Sequence, residues 1–254
     1  MNPELPIRLS RENGVAVLSL CRPDLRNAVT PQWVAALQSH ADSLHDDAEL
    51  RAVLLMSEGP MFCIGADVKR MAEHLDDLPA YVDSLIAPAH AALLRLLSLP
   101  VPVVGLLRGT AAGGGASLAL ACDVLVAARS ARLVFAYPQL GTTPDLGLSH
   151  SLTERLGPQR ALQLFLTSDS ISMDDAESMG LVCRVFDDEA AEAEAKALVE
   201  RLADLPSASA KTLFKPRGPE ALASRLDEER ASFLRCASTP AFRQRVSEFA
   251  SRRR

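Results

Sequence analysis

The sequence predicts an α/β fold that ends in a helical region. Three observations carry that expectation. Short apolar runs with strand character alternate with helix-length segments, which favours mixed layers over a sandwich. Two of these runs end in glycine-marked turns that open into helices, at Gly65 and at Gly113, Gly114 and Gly115. From residue 187 onward, Ala-, Glu- and Leu-rich segments read as helix with few breaks.

In chain order, residues 14–20 are a strand and 21–28 a loop. Thr30 and Pro31 start a helix, with Thr as cap and Pro in the first turn. Trp33, Leu37 and Leu44 follow at near-helical spacing, and Trp33 reads as a core anchor. Residues 51–56 are a second strand. Residues 61–64 run into Gly65, and Asp67 stands where it can cap a short helix. Residues 79–97 form a long helix in which Pro88 marks a kink or a split. Residues 101–107 are a buried strand, followed by the turn 109–115 and an Ala/Leu-rich helix. Strands at 123–128 and 132–135 lead into a loop, 136–147. Helices follow at 149–156, 158–166 and 172–179, the last capped by Ser172. Residues 181–185 are the last strand. Helices then cover 187–205, 206–214, 219–236 and 239–252. The expected division is a core over 1–200 and a helical region over 201–254.

A chain of 254 residues, 48% hydrophobic and 23% charged, can bury one sizeable core. Its net charge of -5 gives no support to a nucleic-acid surface. No apolar run is expected to cross a membrane, and the N-terminus lacks a basic start and an apolar signal core. A cytoplasmic protein follows from that reading. Cys21, Cys63, Cys122, Cys183 and Cys236 are scattered and odd in number, so they read as reduced and mostly buried. The five histidines form no ligand spacing with them, and no metal is expected.

At the second glycine turn, free backbone N–H groups meet the positive end of a helix dipole. Such a junction suits an oxyanion or a phosphate. No Lys follows the glycines, and the spacing is not Gly-x-Gly-x-x-Gly. Taken alone, the glycine cluster favours the plainer reading of a close-packed strand–helix junction.

The wider pattern adds to this. Arg22-Pro-Asp-Leu-Arg-Asn-Ala28, Phe62-Cys-Ile-Gly-Ala-Asp67, Gly109-Thr-Ala-Ala-Gly-Gly-Gly115 and Asp123 come first. Leu140-Gly-Thr-Thr-Pro144, Leu166-Thr-Ser-Asp169, Ala176-Glu-Ser-Met-Gly-Leu181 and Glu248-Phe249 follow. This ordered set resembles the crotonase (enoyl-CoA hydratase/isomerase) superfamily along nearly the whole chain. The resemblance implies a spiral of repeated ββα units with a helical C-terminal region used in assembly. It implies a coenzyme A thioester as substrate, with no separate cofactor. Backbone N–H groups of Ala66 and Gly114 then face the thioester oxygen, each worth about 3 kcal/mol in the transition state. Coenzyme A is expected along Arg26 to Ala28 and Ile64 to Asp67, with backbone contacts at Ala28, Ile64 and Ala66. Arg26 or Lys69 reaches its phosphates, or is plain surface charge. Phe249 and Arg252 resemble residues that cover the nucleotide of a neighbouring subunit.

The sequence also departs from the hydratases of that family. Their two catalytic glutamates fall on Ser117 and Tyr137 here. A Ser hydroxyl can hold a water but cannot take its proton at neutral pH. Asp145 is the one acid in the following loop. Family members that shift a double bond, such as the 1,2-epoxyphenylacetyl-CoA isomerase branch, carry an acid there with Ser or Thr at the position of Ser117. One acid suffices to move a proton between two carbons. The alternative for Asp145 is a helix cap for the segment beginning near Leu146. The 4-chlorobenzoyl-CoA dehalogenase branch offers a second comparison, with Asp, aromatic and His residues matching Asp145, Tyr137 and His90. Against it, Ala66 stands where that branch has Phe, and His90 lies in an Ala/Leu-rich helix that suits a packing histidine. The leading expectation is an acyl-CoA isomerase. The alternatives are hydratase-like or hydrolytic chemistry, and a non-catalytic acyl-CoA-binding scaffold.

The Ala-rich C-terminal helices offer more packing surface than one core needs, and the resembled family assembles through that region. A homotrimer or hexamer is the expected state. Light scattering at micromolar concentration checks it, and a monomeric mass is the contrary result.

Overall fold

After an opening hairpin, three successive β-strand pairs each send their first member to one sheet and their second to another. The computed structural model describes residues 5–214 and 218–251. The chain opens with the hairpin β1 (Ile7–Glu12) and β2 (Val15–Leu20), then α1 (Pro31–His45). Three strand–strand–helix passes follow. They are β3 (Ala52–Ser57), β4 (Met61–Cys63) and α2 (Val68–Ala72), after which α3 (Leu78–Leu97) crosses over; β5 (Val103–Leu107), β6 (Thr110–Ala112) and α4 (Gly114–Ala121); and β7 (Val124–Ala128), β8 (Arg132–Val134) and α5 (Tyr137–Leu140). Then come α6 (Leu148–Leu156), α7 (Pro158–Thr167), β9 (Ile171–Ser172), α8 (Met173–Ser178) and β10 (Arg184–Phe186). The chain closes with α9 (Ala191–Ala203), α10 (Ser207–Phe214), α11 (Gly218–Ala237) and α12 (Pro240–Ser251).

The large sheet has the order β1-β2-β3-β5-β7-β10, and the small one β4-β6-β8-β9. Strands β3, β5 and β7 pair in parallel in the first, and β4, β6 and β8 in parallel in the second. This is the spiral of ββα units that the resemblance implies.

Strand β3 is buried along its whole length, as a central parallel strand must be. Its side chains alternate between two cores. Val53 and Leu55 join the main core under the helices, while Ala52, Leu54 and Met56 join a second core covered by α9. Trp33 is 1% exposed and anchors the main core, and Thr30 accepts a hydrogen bond from the Trp33 N–H as a helix cap should.

Several expectations need correction. Strand β1 lacks clean alternation and is fixed by its pairing with β2. Residues 109–115 are not a bare turn, because Thr110–Ala112 forms β6 between β4 and β8. A three-residue strand carries no periodicity, so only its neighbours define it. The loop 136–147 contains α5, and the last strand begins at Arg184, not Leu181. Helix α3 runs unbroken through Pro88. Pro88 and Ser84 are both exposed, so the carbonyl that the proline releases faces water. The helical stretch Leu75–Leu97, of mean hydropathy 1.2, is long and apolar enough to cross a membrane, contrary to the expectation. Here it is a core helix, with α1 and α11 packed against it. Cys63 and Cys122 are buried, but Cys183 is exposed, and all five cysteines are free.

Two glycines fix the junction between the passes. Gly113 has φ +51, in the region that side chains rarely adopt. At Gly115 an added Cβ would stand 2.0 Å from the Cys63 carbonyl oxygen, so α4 touches β4 backbone to backbone. Gly115→Ala is expected to destabilise the fold by about 2 kcal/mol or more, since neither backbone can retreat without breaking its ladder. Thermal unfolding measures it, and an unchanged melting temperature contradicts the close approach.

Candidate active site

The junction of the three passes opens into a cavity of about 760 Å³. The loop before α1, the turn after β4, α3, the start of α4, the segment 137–146 and two C-terminal helices contribute to its walls. Asn27 holds the first of these in place. It is 1% exposed, its Oδ1 accepts from the Arg22 N–H at 2.8 Å, and its Nδ2 donates to the carbonyls of Glu58 and Met61. Arg26 and Asn27 both take positive φ there, so the loop turns tightly over the β3–β4 connection. The Val29 N–H then donates to the Gly65 carbonyl at 2.8 Å.

The turns at Gly65 and Gly114 abut. A Cβ on Gly65 would stand 2.7 Å from the Gly114 nitrogen, and a Cβ on Gly114 would stand 2.9 Å from Leu146 Cδ1. Among the described residues, neither the Ala66 nor the Gly114 N–H donates to a protein acceptor. Both residues line the cavity, and Gly114 begins α4, where helix N–H groups are free. Cys63 lies beside this turn, and burial pushes its thiol up to about 12, so it is no nucleophile at neutral pH.

Among the described residues, three acids line the cavity. Asp24 is paired with Arg22 at 2.9 Å, and Asp67 caps α2 by accepting from the N–H groups of Lys69 and Arg70. The third, Asp145, is 8% exposed. Its Oδ1 is hydrogen-bonded to His90 Nε2, while Oδ2 has no partner among the described residues. The Tyr137 hydroxyl donates to the Asp145 carbonyl at 3.1 Å, and Ser117 Oγ lies 2.7 Å from that hydroxyl. Burial pushes the Tyr137 phenol well up, and the nearby Asp145 charge adds to the effect.

Asp145 does not cap the following helix. The cap position of α6 is Gly147, which has no side chain. The Gly147 N–H instead donates to Glu229 Oε2 at 2.7 Å, and the Ser149 N–H to Glu229 Oε1 at 2.8 Å. Glu229 comes from α11, 80 residues beyond Ser149, and is 5% exposed. Burial raises its carboxyl above the ordinary value, and the Asp145 charge acts in the same direction. The two N–H bonds pull the other way. Donor atoms of His90, Asp145 and Glu229 all lie within 4.8 Å of one another. The trio has the composition of a metal site, but both Glu229 oxygens are committed to backbone N–H groups and Asp145 Oδ1 to His90.

The cavity thus gathers Arg26, Ala28, Ile64, Ala66, Asp67, Lys69, Gly114, Tyr137, Asp145 and Phe249 as expected. His90 and Ser117 are not among its lining residues; both are buried behind it, as partners of Asp145 and Tyr137. They were expected to touch substrate; their side chains bond to Asp145 and Tyr137. Phe249 lines the cavity of its own chain, since α12 packs back on α2 and α5, whereas a neighbouring subunit's nucleotide was expected. Arg252 lies outside the described residues. Sequence reasoning missed Glu229, whose only signal was one acid on the apolar side of an amphipathic helix. It also missed Asn27 as a structural tie and the α3 wall of the cavity.

The family model described as enoyl-CoA hydratase/isomerase matches residues 10–254. The chain is 33% identical over 247 residues to the 1,2-epoxyphenylacetyl-CoA isomerase of Escherichia coli, covering 95% of this chain and 94% of that one. It is 33% identical over 222 residues to the probable enoyl-CoA hydratase echA8 of Mycobacterium tuberculosis, covering 87% and 84%. The crystal structure of an enoyl-CoA hydratase from Bacillus halodurans superposes with a TM-score of 0.89 at 20% identity, covering 96% and 99%. That last likeness speaks to the fold.

The raised carboxyl of Glu229 has a consequence for stability. A carboxyl whose proton affinity rises on folding adds stability that is full below its unfolded value, near 4.5, and is lost as pH climbs through the folded value. A glutamine has no such dependence. The melting-temperature gap between wild type and Glu229→Gln is therefore expected to favour wild type most near pH 4.5 and to shift toward the variant at higher pH. Thermal unfolding across that range checks it, and a gap independent of pH contradicts it.

Proposed function

The chain belongs to the enoyl-CoA hydratase/isomerase family, and on that premise we propose that it moves the double bond of an acyl-CoA thioester with Asp145 as the single acid/base. The observation that carries this reading is the state of Asp145. Among the described residues it is the one buried acid on the cavity wall and its Oδ2 has no partner, and its capping duty belongs to Glu229. The positions of the two hydratase glutamates are Ser117 and Tyr137, which bond to each other and offer no carboxylate.

In this mechanism, Asp145 Oδ2 takes a proton from carbon next to the double bond of the bound thioester. The C–H electron pair joins the conjugated system, and negative charge collects on the thioester oxygen. The N–H groups of Ala66 and Gly114 stabilise that oxyanion at little reorganisation cost. Asp145 then returns the same proton to a different carbon, so atoms and charge balance without water. His90 fixes the carboxylate through Oδ1, and the Tyr137 hydroxyl fixes its backbone through the carbonyl.

The lining suggests what is bound. Arg26 and Lys69 are the cations among the described lining residues, on the loop before α1 and on α2, and suit coenzyme A phosphates. Val82, Leu85, Ile86 and Ala89 on α3, with Phe233 of α11, form an apolar wall for an uncharged acyl group. The homotrimeric or hexameric assembly and cytoplasmic location expected from the sequence belong to the same reading.

The His90–Asp145 contact favours a second reading. There Asp145 attacks a ring carbon of an aromatic acyl group, the substituent on that carbon leaves with its bonding pair, and the resulting aryl ester is hydrolysed by water with His90 as base to release the product. Asp145→Asn tests the first reading. Melting temperature and thioester binding are expected to hold, while turnover falls by about 10²- to 10⁴-fold, because an amide cannot accept and return the proton. Deuterium exchange into α- and γ-carbons of a panel of acyl-CoA thioesters supplies the assay. Exchange without net addition of water supports isomerisation. Net hydration, or an Asp145→Asn variant that stays active, overturns it. A covalent ester accumulating in His90→Gln selects the second reading.

A further inference from the structure

We propose that Glu229 is a positioning residue for this reaction, holding the Asp145–Gly147 backbone from α11 and setting the charge that Asp145 works against. The inference rests on the reading of Asp145 as acid/base. Three observations carry it.

The first is geometric. The segment is fixed from several sides. His90 holds the Asp145 carboxylate, Tyr137 holds its carbonyl, and Glu229 takes the N–H groups of Gly147 and Ser149. No other side chain caps α6. The second is strain. Leu146, between Asp145 and Gly147, has φ +52, which an L side chain adopts only when its surroundings impose it. With the Gly147 N–H released, this strained residue keeps only the bond from its own N–H to His90 Nε2 at 3.4 Å, so one of the ties that fix the Asp145–Gly147 backbone is lost. The third is placement of charge. A solvated Ser or Asp at the cap would satisfy the same N–H groups at lower cost than a buried carboxylate from a distant helix. A buried carboxylate does one thing that a hydroxyl cannot, which is to repel a second negative charge beside it.

The charged and titratable groups around the pair are few. Asp145 faces His90 of α3, Tyr137 of α5 and Glu229 of α11. Glu229 faces Asp145, His90 and Tyr137. Its neighbours on α11 point elsewhere: Glu228 pairs with Arg225, and Arg230 pairs with Asp83 of α3. The nearby Asp145 charge adds to burial in raising the Glu229 carboxyl.

The test uses the full chain and an acyl-CoA thioester on which the wild type shows exchange. Glu229→Gln removes the charge and one of the two acceptors. Its kcat is expected to fall by about tenfold or more with KM nearly unchanged, because misplacement harms the reacting geometry more than binding. The acid limb of its pH–rate profile is expected to move to lower pH by about half a unit or more, since the repelling charge is gone. Glu229→Asp keeps the charge on a shorter arm, so its limb should stay near the wild-type position while kcat falls. Carboxyl-labelled wild type, followed by NMR through a pH titration, gives a readout that needs no variant to fold. The Glu229 carboxyl is expected to titrate above the ordinary glutamate value, and an ordinary value overturns the proposal. So does a Glu229→Gln variant that melts lower but keeps kcat and the acid limb, which would make Glu229 a structural cap alone. An inactive Asp145→Asn beside an unshifted Glu229→Gln removes this inference and leaves the acid/base reading standing. An active Asp145→Asn removes both.

Discussion

The approach of two side-chain-free turns is the constraint on which the site depends. Gly65 lies against the Gly114 nitrogen, and Gly115 lies against the Cys63 carbonyl. Only glycine permits these distances, and the ββα spiral supplies the stacking that brings successive passes together. Once β4 and β6 are paired in parallel, the turn after each strand is carried to the same end of the small sheet. Two backbone N–H groups from different passes then border one cavity. No side chain is needed to build that arrangement, and a Cβ at Gly115 would push the passes apart.

Around this backbone frame the chain buries an uncommon amount of polarity. Asp145, His90, Glu229, Ser117 and Tyr137 are all nearly inaccessible. Each is hydrogen-bonded, which offsets the cost of leaving water. The network divides the labour between two acids. Glu229 satisfies the start of α6, and one carboxylate oxygen of Asp145 is left without a partner among the described residues. A helix start that took its cap from Asp145 would have consumed the group that the proposed chemistry needs. The same network ties the C-terminal helices to the cavity, because Glu229 and Phe233 belong to α11 and Phe249 to α12.

Much of this was legible from residue types in order. Thr30 capping α1, Asp67 capping α2, Ser172 capping α8 and the buried Trp33 follow from local rules of helix ends and apolar spacing. Elements that local rules missed share a cause. β1 and β6 exist because other strands pair with them, and their own residues carry little period. Continuity of α3 through Pro88 depends on which face meets water.

The sequence by itself determined the α/β class, the two glycine turns and the presence of one acid, Asp145, in the loop 136–147. These are matters of residue identity and near-neighbour spacing. Only the tertiary structure decided what Asp145 does locally, because the two residues that settle it lie far away in sequence. His90 is 55 positions before it, and Glu229 caps a helix from 82 positions beyond Gly147. Hydrogen bonds at that separation depend on helix packing and side-chain direction. Neither leaves a mark in composition or period, so a helix cap and a free acid read alike until α11 is folded against α6.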